Sequence, residues 1–304
     1  MILDHNPQDV TRILFQDFAL WMLVAFYVVG FAAIGVFLYG VWAQIRKYRR
    51  GARSGAWSPF WPRFTTMFAR VLDHTTIRRR APGAGSAHRY IFYGFTLLFI
   101  GTSIITLDHD IVAPLTGLHF WYGNFYLIFS LVMDVAGVAL IGGLLFMMYR
   151  RGWMALPRLD YRRPDRSPEE PDFNRSFYRR EDWAFLWTLI LIGITGFFLE
   201  AARLVWLQAD PTVWTYRWWS PVGYLLARLF MSLGLGPEGA ANFRMGLWWF
   251  HGFLALTFIA LIPFTKVKHI FTAMGSLMAR DPEAKRRMPA ADVDQERIGF
   301  SQLT

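Results

Sequence analysis

The sequence predicts an all-α integral membrane protein with a bundle of five transmembrane helices. Of its 304 residues, 54% are hydrophobic and 18% are aromatic, and the apolar residues are concentrated in long runs. A run of about 18 or more apolar residues is long enough to cross the hydrocarbon core as a helix. Unbroken apolar runs favour helices over a barrel, whose strands alternate apolar and polar residues. Trp and Tyr lie near the ends of these runs, as is typical of residues at the headgroup level.

Five apolar runs are long enough for membrane spans. They occupy residues 18–42, 89–107, 121–149, 183–206 and 245–264. Two further segments are predicted to be helices that do not span. Residues 63–80 form a basic amphipathic pattern, which suits the inner leaflet or a partner protein. Residues 220–235 are apolar but short, and we expect an interfacial helix on the outer side.

The charges in the connections predict the orientation of the bundle. Residues 43–90 carry 11 Lys or Arg and one acidic residue, whereas residues 108–120 carry no Lys or Arg. Residues 150–182 carry nine Arg, residues 207–242 only two, and the chain after residue 264 is basic again. Because basic connections remain in the cytoplasm, the N-terminus is predicted outside and the C-terminus cytoplasmic. The net charge of +10 is therefore explained by topology and does not indicate nucleic-acid binding.

The chain contains no cysteine. This excludes disulfides, thiolate zinc sites and cysteine-bound iron–sulfur clusters within these residues. Any iron–sulfur cluster that works with this chain must belong to a partner or to a further C-terminal region.

The spacing of four histidines indicates a redox function. His251 and His269 are 18 residues apart, which in one continuous helix is five turns, so both would lie on the same face about 27 Å apart. His88 and His109 are 21 residues apart, or about 31 Å along a helix. If the second and fifth spans are antiparallel neighbours, His88 faces His269 and His109 faces His251. Two such pairs suit two b-type haems with bis-histidine ligation; His119 is an alternative to His109.

A less specific interpretation also fits some of these histidines. Histidines near a membrane surface often serve as amphipathic anchors, and a haem-free membrane anchor or transporter subunit is the alternative function. A transporter is disfavoured because the chain lacks paired, Gly- and Pro-interrupted half-helices. His5 and His74 have no counterpart in the spacing pattern, and we interpret both as solvated or interfacial.

Other polar and small residues within the spans have competing roles. Asp134 lies in the third span, where an unpaired charge is costly, so a structural hydrogen bond or a quinone contact is expected. Glu200 and Arg203 are three residues apart on one helix face and can form a salt bridge or contact a quinone or a haem propionate. Gly94 is expected to allow close helix packing. Pro263 is expected to kink the fifth span.

Several motifs resemble a known family of membrane cytochromes. The segment PFTKVKHIF at residues 263–271, with a histidine 18 residues before its own, resembles the gamma subunit of respiratory nitrate reductase, a five-helix dihaem cytochrome b. The segments AHRYIFYGFTLLFIGT at 87–102 and GNFYLIFSLVMDVAGVALIGG at 123–143 are more similar to the membrane domain of heterodisulfide-reductase-type iron–sulfur proteins. That group includes the electron-transfer-flavoprotein:quinone oxidoreductases.

The resemblance implies a dihaem cytochrome b domain over residues 18–272. An outer segment, residues 1–17, would precede it, and a cytoplasmic linker, residues 273–304, would lead to an iron–sulfur domain or partner. The expected cofactors are two haem b, and the expected diffusible substrate is quinone. The expected partners are membrane lipid and a cytoplasmic iron–sulfur protein or electron-transfer flavoprotein, in the respiratory chain of a bacterial cytoplasmic (inner) membrane. The chain would be the quinone-reactive membrane part of an oxidoreductase.

The resemblance assigns His88 and His269 to the inner haem iron and His251 to the outer one. One departure affects the fourth ligand. Leu98 stands ten residues after His88, where the nitrate reductase subunit has a second histidine. The outer iron is therefore left with His109, His119 or another ligand opposite His251.

Overall fold

A computed structural model describes residues 10–12, 14–49, 58–154, 156–170 and 173–280. Over these residues the chain is built from helices, and its one β-type pairing is an isolated bridge between Arg162 and Asn174. His5 and residues 281–304 of the predicted linker lie outside the described residues, so the predictions made for them stay predictions.

Five helices are long and apolar enough to cross a membrane, which confirms the five predicted spans. Each of them extends past its predicted limit at one end, because the helix continues into the connection there. These helices are α1 (Leu20–Tyr48), α4 (Pro82–Thr106), α6 (Gly123–Gly152), α7 (Ser176–Trp206) and α10 (Pro237–Leu261).

The shorter helices lie at the two ends of the bundle. They are α2 (Phe60–Asp73), α3 (Thr75–Arg80), α5 (Ala113–Thr116), α8 (Pro211–Thr215), α9 (Pro221–Ser232) and α11 (His269–Met278). We call the end that carries the α1–α4 connection, the α6–α7 connection and α11 the basic end. The end that carries α5, α8 and α9 is the opposite end.

The long helices pack in the spatial order α4, α6, α7, α10 and α1. The tightest contact is between α4 and α6, where glycines let the backbones approach. A Cβ atom on Gly94 would lie 2.6 Å from the carbonyl oxygen of Ala136, and one on Gly143 would lie 2.8 Å from that of Ala87. Small residues at such contacts are typical of helix pairs in lipid, where dispersion and close packing replace the hydrophobic effect. The packing role expected for Gly94 is thus confirmed.

The fifth span does not continue as one helix to His269. The helix α10 ends at Leu261, two 3₁₀ turns follow at Ile262–Phe264 and Lys266–Lys268, and α11 begins at His269. Pro263 cannot donate a backbone hydrogen bond, and Thr265 has extended backbone and caps the second turn. The prediction that His251 and His269 share one helix face was therefore wrong, because the helical period is broken between them.

Two other helical boundaries differ from the sequence prediction. The amphipathic segment 63–80 is two helices, α2 and α3, because His74 between them has a left-handed backbone. The second span does not stop at residue 107: it continues through a π-helical turn at Leu107–Val112 into α5. His109 consequently lies in a helical segment and not in a loop. The helix predicted within residues 220–235 is confirmed as α9 (Pro221–Ser232), and its position at the outer membrane surface stays a prediction.

Candidate functional site

Three imidazoles lie in a row at the basic end of the bundle. The ring of His88, on the first half of α4, has its centroid 6.2 Å from the ring of His269 and 5.2 Å from the ring of His74. The structure therefore brings together the two predicted inner ligands, although they come from α4 and from a helix that begins separately after α10.

His269 is held by the turn that precedes it. Its Nδ1 lies 3.0 Å from the carbonyl oxygen of Lys266. A carbonyl can only accept, so Nδ1 carries the proton and Nε2 keeps its lone pair. Lys266 is itself fixed by α7, because its backbone N–H donates to Glu181 and its ammonium group contacts Asp182, both at 2.8 Å. The orientation of the imidazole is thus determined by an anchored turn.

The facing pair fits a metal ion bound between two imidazoles. Two imidazoles that bind one metal ion from opposite sides, with metal–nitrogen bonds of about 2.0–2.1 Å, have ring centroids roughly 6 Å apart. The Nδ1 atom of His88 is buried and has no hydrogen-bond partner among the described residues. The described residues contain no cluster of three or more His, Cys, Asp or Glu side chains that could hold a metal ion. A pair of imidazoles could hold a haem, in which the macrocycle supplies the remaining ligands.

His74 is buried, with 6% of its surface exposed. Its interpretation as a solvated or interfacial residue was wrong. The turn between α2 and α3 directs the ring onto α4, where it contacts Phe92 as well as His88, with the Phe92 centroid 4.8 Å away. The amphipathic pattern of residues 63–80 could not reveal this, because it assumes one continuous helix.

His251 lies near the middle of α10, deeper than the sequence predicted because the helix begins at Pro237, and it has a defined hydrogen-bond partner. Its Nδ1 is 2.8 Å from the hydroxyl oxygen of Thr195 on α7. That hydroxyl lies 2.6 Å from the carbonyl oxygen of Leu191 and donates its proton there. Thr195 must then accept from His251, so Nδ1 is protonated and Nε2 is available to bind a metal ion.

His251 lines an open cavity of about 350 Å³ between α4, α6, α7 and α10. The helices α4 and α10 are not among the closely packed helix pairs, and they face each other across this space. They meet through the rings of Phe95 and Phe258, whose centroids are 5.9 Å apart. Leu98 lies on the cavity wall, so the position that departs from the nitrate reductase pattern faces the same space as His251.

Neither predicted partner of His251 is brought to it. The ring of His109 packs on Phe15, at 5.3 Å between centroids, and its Nδ1 lies 2.9 Å from Asp110. The Nδ1 of His119 lies 2.9 Å from Asp108. Over the described part of the chain, no ring contact joins either histidine to His251. The sequence prediction that His109 faces His251 therefore has no support in this geometry.

Asp108 has a structural role that explains its burial. One of its carboxylate oxygens accepts from the backbone N–H groups of Phe120 and Trp121, at 2.7 and 3.2 Å. The other contacts His119. Asp108 thus organises the connection into α6 and fixes His119 there.

The three polar residues predicted in the spans all lie in the half of the bundle toward the opposite end. Asp134 accepts a hydrogen bond of 2.6 Å from the backbone N–H of Val222, in the first turn of α9. Glu200 and Arg203 form the predicted salt bridge at 2.6 Å, and Glu200 also contacts Arg12 from the N-terminal segment. Asp134 and Glu200 line the same cavity as His251, whereas Arg203 lines a smaller adjacent cavity of about 180 Å³.

Sequence reasoning missed several residues of these sites. Met133 lines the cavity with His251 and carries a thioether that can bind haem iron. Thr195 and Arg12 were also missed, as were the charged groups around a second cavity of about 390 Å³ at the basic end, which His269 lines. Met133 was detectable as the neighbour of Asp134, but an apolar span gives no reason to separate it from lipid-facing residues.

Comparison with known proteins gives two relatives. No protein-family model matches the sequence, and no solved structure matches it. The chain is 32% identical over 282 residues to the EtfAB:quinone oxidoreductase of Syntrophomonas wolfei subsp. wolfei, an alignment that covers 88% of this chain and 34% of that protein. It is 22% identical over 271 residues to the probable iron-sulfur-binding oxidoreductase FadF of Bacillus subtilis, covering 89% and 34%. The chain therefore spans about a third of the length of the curated relatives it matches, and it is similar along most of its own length to part of two proteins named as oxidoreductases.

Proposed function

We propose that this chain is the membrane cytochrome b domain of an oxidoreductase, which passes electrons between a cytoplasmic iron–sulfur or flavoprotein partner and quinone in the membrane. The observation that carries the proposal is the pair of facing imidazoles, His88 and His269, with centroids 6.2 Å apart. The similarity to a protein named EtfAB:quinone oxidoreductase supports electron-transfer flavoprotein and quinone as the two reaction partners.

The inner haem is assigned to His88 and His269. A bis-histidine haem supplies one-electron redox chemistry without an open coordination position for oxygen. The protein holds the two imidazoles from opposite sides on separately anchored elements. The hydrogen bond from His269 to the Lys266 carbonyl fixes the tautomer that leaves Nε2 free. Fixed ligands favour fast electron transfer, because little has to move when the charge changes.

The second haem of the sequence prediction is assigned to His251. Its support is the hydrogen bond to Thr195, which leaves Nε2 available beside a cavity between facing helices. The ligand on the other side of that haem is His109 or His119, as the sequence predicts, or Met133, which lines the same cavity. The first two lie in the connection after α4, whereas Met133 lies on α6 and lines the cavity.

Quinone is proposed to react at the polar end of the same cavity. Asp134 and Glu200 line it together with the hydroxyls of Ser130 and Ser220, which are 2.6 Å apart. Reduction of a quinone needs hydrogen-bond donors for its carbonyl oxygens and a route for protons, and hydroxyl and carboxyl groups supply both. The pairing of Arg203 with Glu200 gives Arg203 an indirect role, in which it holds the carboxylate in place.

The orientation and location follow from charge. The basic end is proposed to face the cytoplasm of a bacterial cell, across its inner membrane, because the Arg-rich connections all lie there. The inner haem would then be the one nearest a cytoplasmic partner. The His251 cavity would lie toward the outer leaflet.

A reduced-minus-oxidised absorption spectrum of the purified chain tests the proposal. We expect an α band of b-type haem in protein produced with adequate haem supply. Anaerobic addition of a quinol to the oxidised protein should produce the same band. A spectrum without that band would instead favour the alternative, a haem-free membrane anchor or transporter subunit. If dithionite produces the band and quinols do not, the chain is a cytochrome b but the proposed quinone site is wrong.

A further inference from the structure

His88, one of the two proposed inner ligands, lacks the hydrogen bond at Nδ1 that His269 and His251 have. Histidines that bind metals almost always donate their second ring N–H to a fixed acceptor, which sets the tautomer and makes the imidazole a stronger ligand. His269 has the Lys266 carbonyl and His251 has the Thr195 hydroxyl. The Nδ1 of His88 is buried and has no partner among the described residues.

The imidazole of His74 lies beside that of His88. Its own Nδ1 lies 3.2 Å from the carbonyl oxygen of Leu72 and therefore carries the proton. Its Nε2 is then an acceptor. Two imidazoles joined by a straight N–H···N hydrogen bond have centroids about 5 Å apart, and those of His74 and His88 are 5.2 Å apart.

The backbone at His74 turns sharply between α2 and α3. It has a φ of 55°, a left-handed conformation that favours glycine and asparagine. Its turn is fixed by two contacts to Leu72, one from its own ring and one from the Tyr93 hydroxyl at 2.8 Å. A turn needs no imidazole, so a buried histidine packed against an iron-ligand candidate points to a role for its ring.

We propose that His74 is a positioning residue of the inner haem site. The two rings are not hydrogen-bonded in this structure, and when His88 binds iron its Nδ1–H donates a hydrogen bond to Nε2 of His74. The resulting series of hydrogen bonds runs from the Leu72 carbonyl through His74 to His88, and it directs the Nε2 of His88 toward His269. The inference rests on the proposed function, because it presumes that His88 binds iron. An acceptor on Nδ1 increases electron donation from His88 and stabilises the ferric state.

The test compares two substitutions in the full chain, His74→Gln and His74→Leu. Both are similar in size to histidine and share the same backbone strain, but the glutamine oxygen can take the place of Nε2 as acceptor and leucine cannot. The readouts are the haem-to-protein ratio and the midpoint potential of each haem. We expect H74Q to match the unsubstituted protein. We expect H74L to disfavour the ferric state of one haem about tenfold, a rise of about 59 mV for a one-electron couple.

A third variant controls for damage to the turn. Tyr93→Phe removes the other hydrogen bond to the Leu72 carbonyl and leaves both imidazoles intact, so it should leave the potential unchanged. Loss of the inner haem in H74L together with its retention in H74Q would also support the role. Equal potentials in all variants, or equal changes in H74L and H74Q, would overturn it. A haem-free unsubstituted protein would instead refute the proposed function.

Discussion

The two ends of the bundle use histidine differently. At the basic end, His88 and His269 face each other, and the ring proton of His269 is taken by a backbone carbonyl. At the opposite end, His109 and His119 each contact a carboxylate, and His251 stands apart from both. One end is arranged as a ligand pair, whereas the other has a single histidine beside a cavity.

The difference shows that the hydrogen-bond partner of Nδ1 affects whether a histidine can bind iron through Nε2. A backbone carbonyl is neutral and keeps the imidazole neutral, with Nε2 free for iron. Asp108 binds His119 while it also accepts two backbone N–H groups, so this histidine is part of a structural connection. Spacing along the chain indicated which end each histidine occupies, but the local partners decide which of them can serve as ligands.

The largest effect is expected from His269→Ala, which would break the pair at the basic end. Its loss leaves the inner iron with one protein ligand, so the inner haem should be absent and the haem-to-protein ratio should halve in a pyridine haemochrome assay. Lys268→Ala, one residue earlier, is the control and should keep the full haem content. Unchanged haem content in the His269 variant would show that His269 does not bind a haem, and the inner site would be wrong.

Substitutions at the opposite end would sharpen the comparison. His251→Ala should also halve the haem-to-protein ratio, with the basic-end haem retained. The second ligand is then identified by whichever single replacement, at His109, His119 or Met133, gives the same spectrum as the His251 variant. If the haem content survives replacement of His251, the opposite end holds no haem and its cavity serves another purpose.

A smaller effect is expected at Asp134, which supports the opposite end through α9. Asp134→Ala leaves the Val222 N–H without its acceptor, and loss of such a helix cap costs about 1–2 kcal/mol. Asp134→Asn keeps an acceptor oxygen and should unfold close to the temperature of the unsubstituted protein in detergent. Equal destabilisation by both variants would show that the charge matters and the cap does not. Slower haem reduction by quinol in a stable Asn variant would indicate a proton-transfer role.

The spans were predictable because their length is set by the bilayer, whose thickness requires about 20 apolar residues whatever their neighbours. The packing role of Gly94 was predictable for a similar reason, since small residues within a span have few other uses. The i, i+3 salt bridge of Glu200 and Arg203 needs only local helix geometry, and it too is present.

The errors arose where the helical period is interrupted. His269 was placed on the face of His251 by counting turns through Pro263, but the chain leaves the helix there and restarts after Thr265. His74 was assigned to solvent because its left-handed backbone is invisible to a hydrophobic pattern. The contacts of His119 with Asp108 depend on a turn closed by hydrogen bonds across 12 and 13 residues, which spacing alone does not reveal.

The restart of the chain at His269 has a mechanical consequence. The first residue of α11 faces His88, while the far end of α11 is bound by Arg63 of α2, whose guanidinium donates to the carbonyl oxygens of Met278 and Arg280 at 3.0 and 2.7 Å. Both helices lie at the surface of the basic end, so any protein that docks there and displaces α11 also displaces the imidazole of His269, the proposed haem ligand. Under the proposed function, a protein that docks at this end would therefore change the reorganisation energy of electron transfer by moving the ten-residue helix α11.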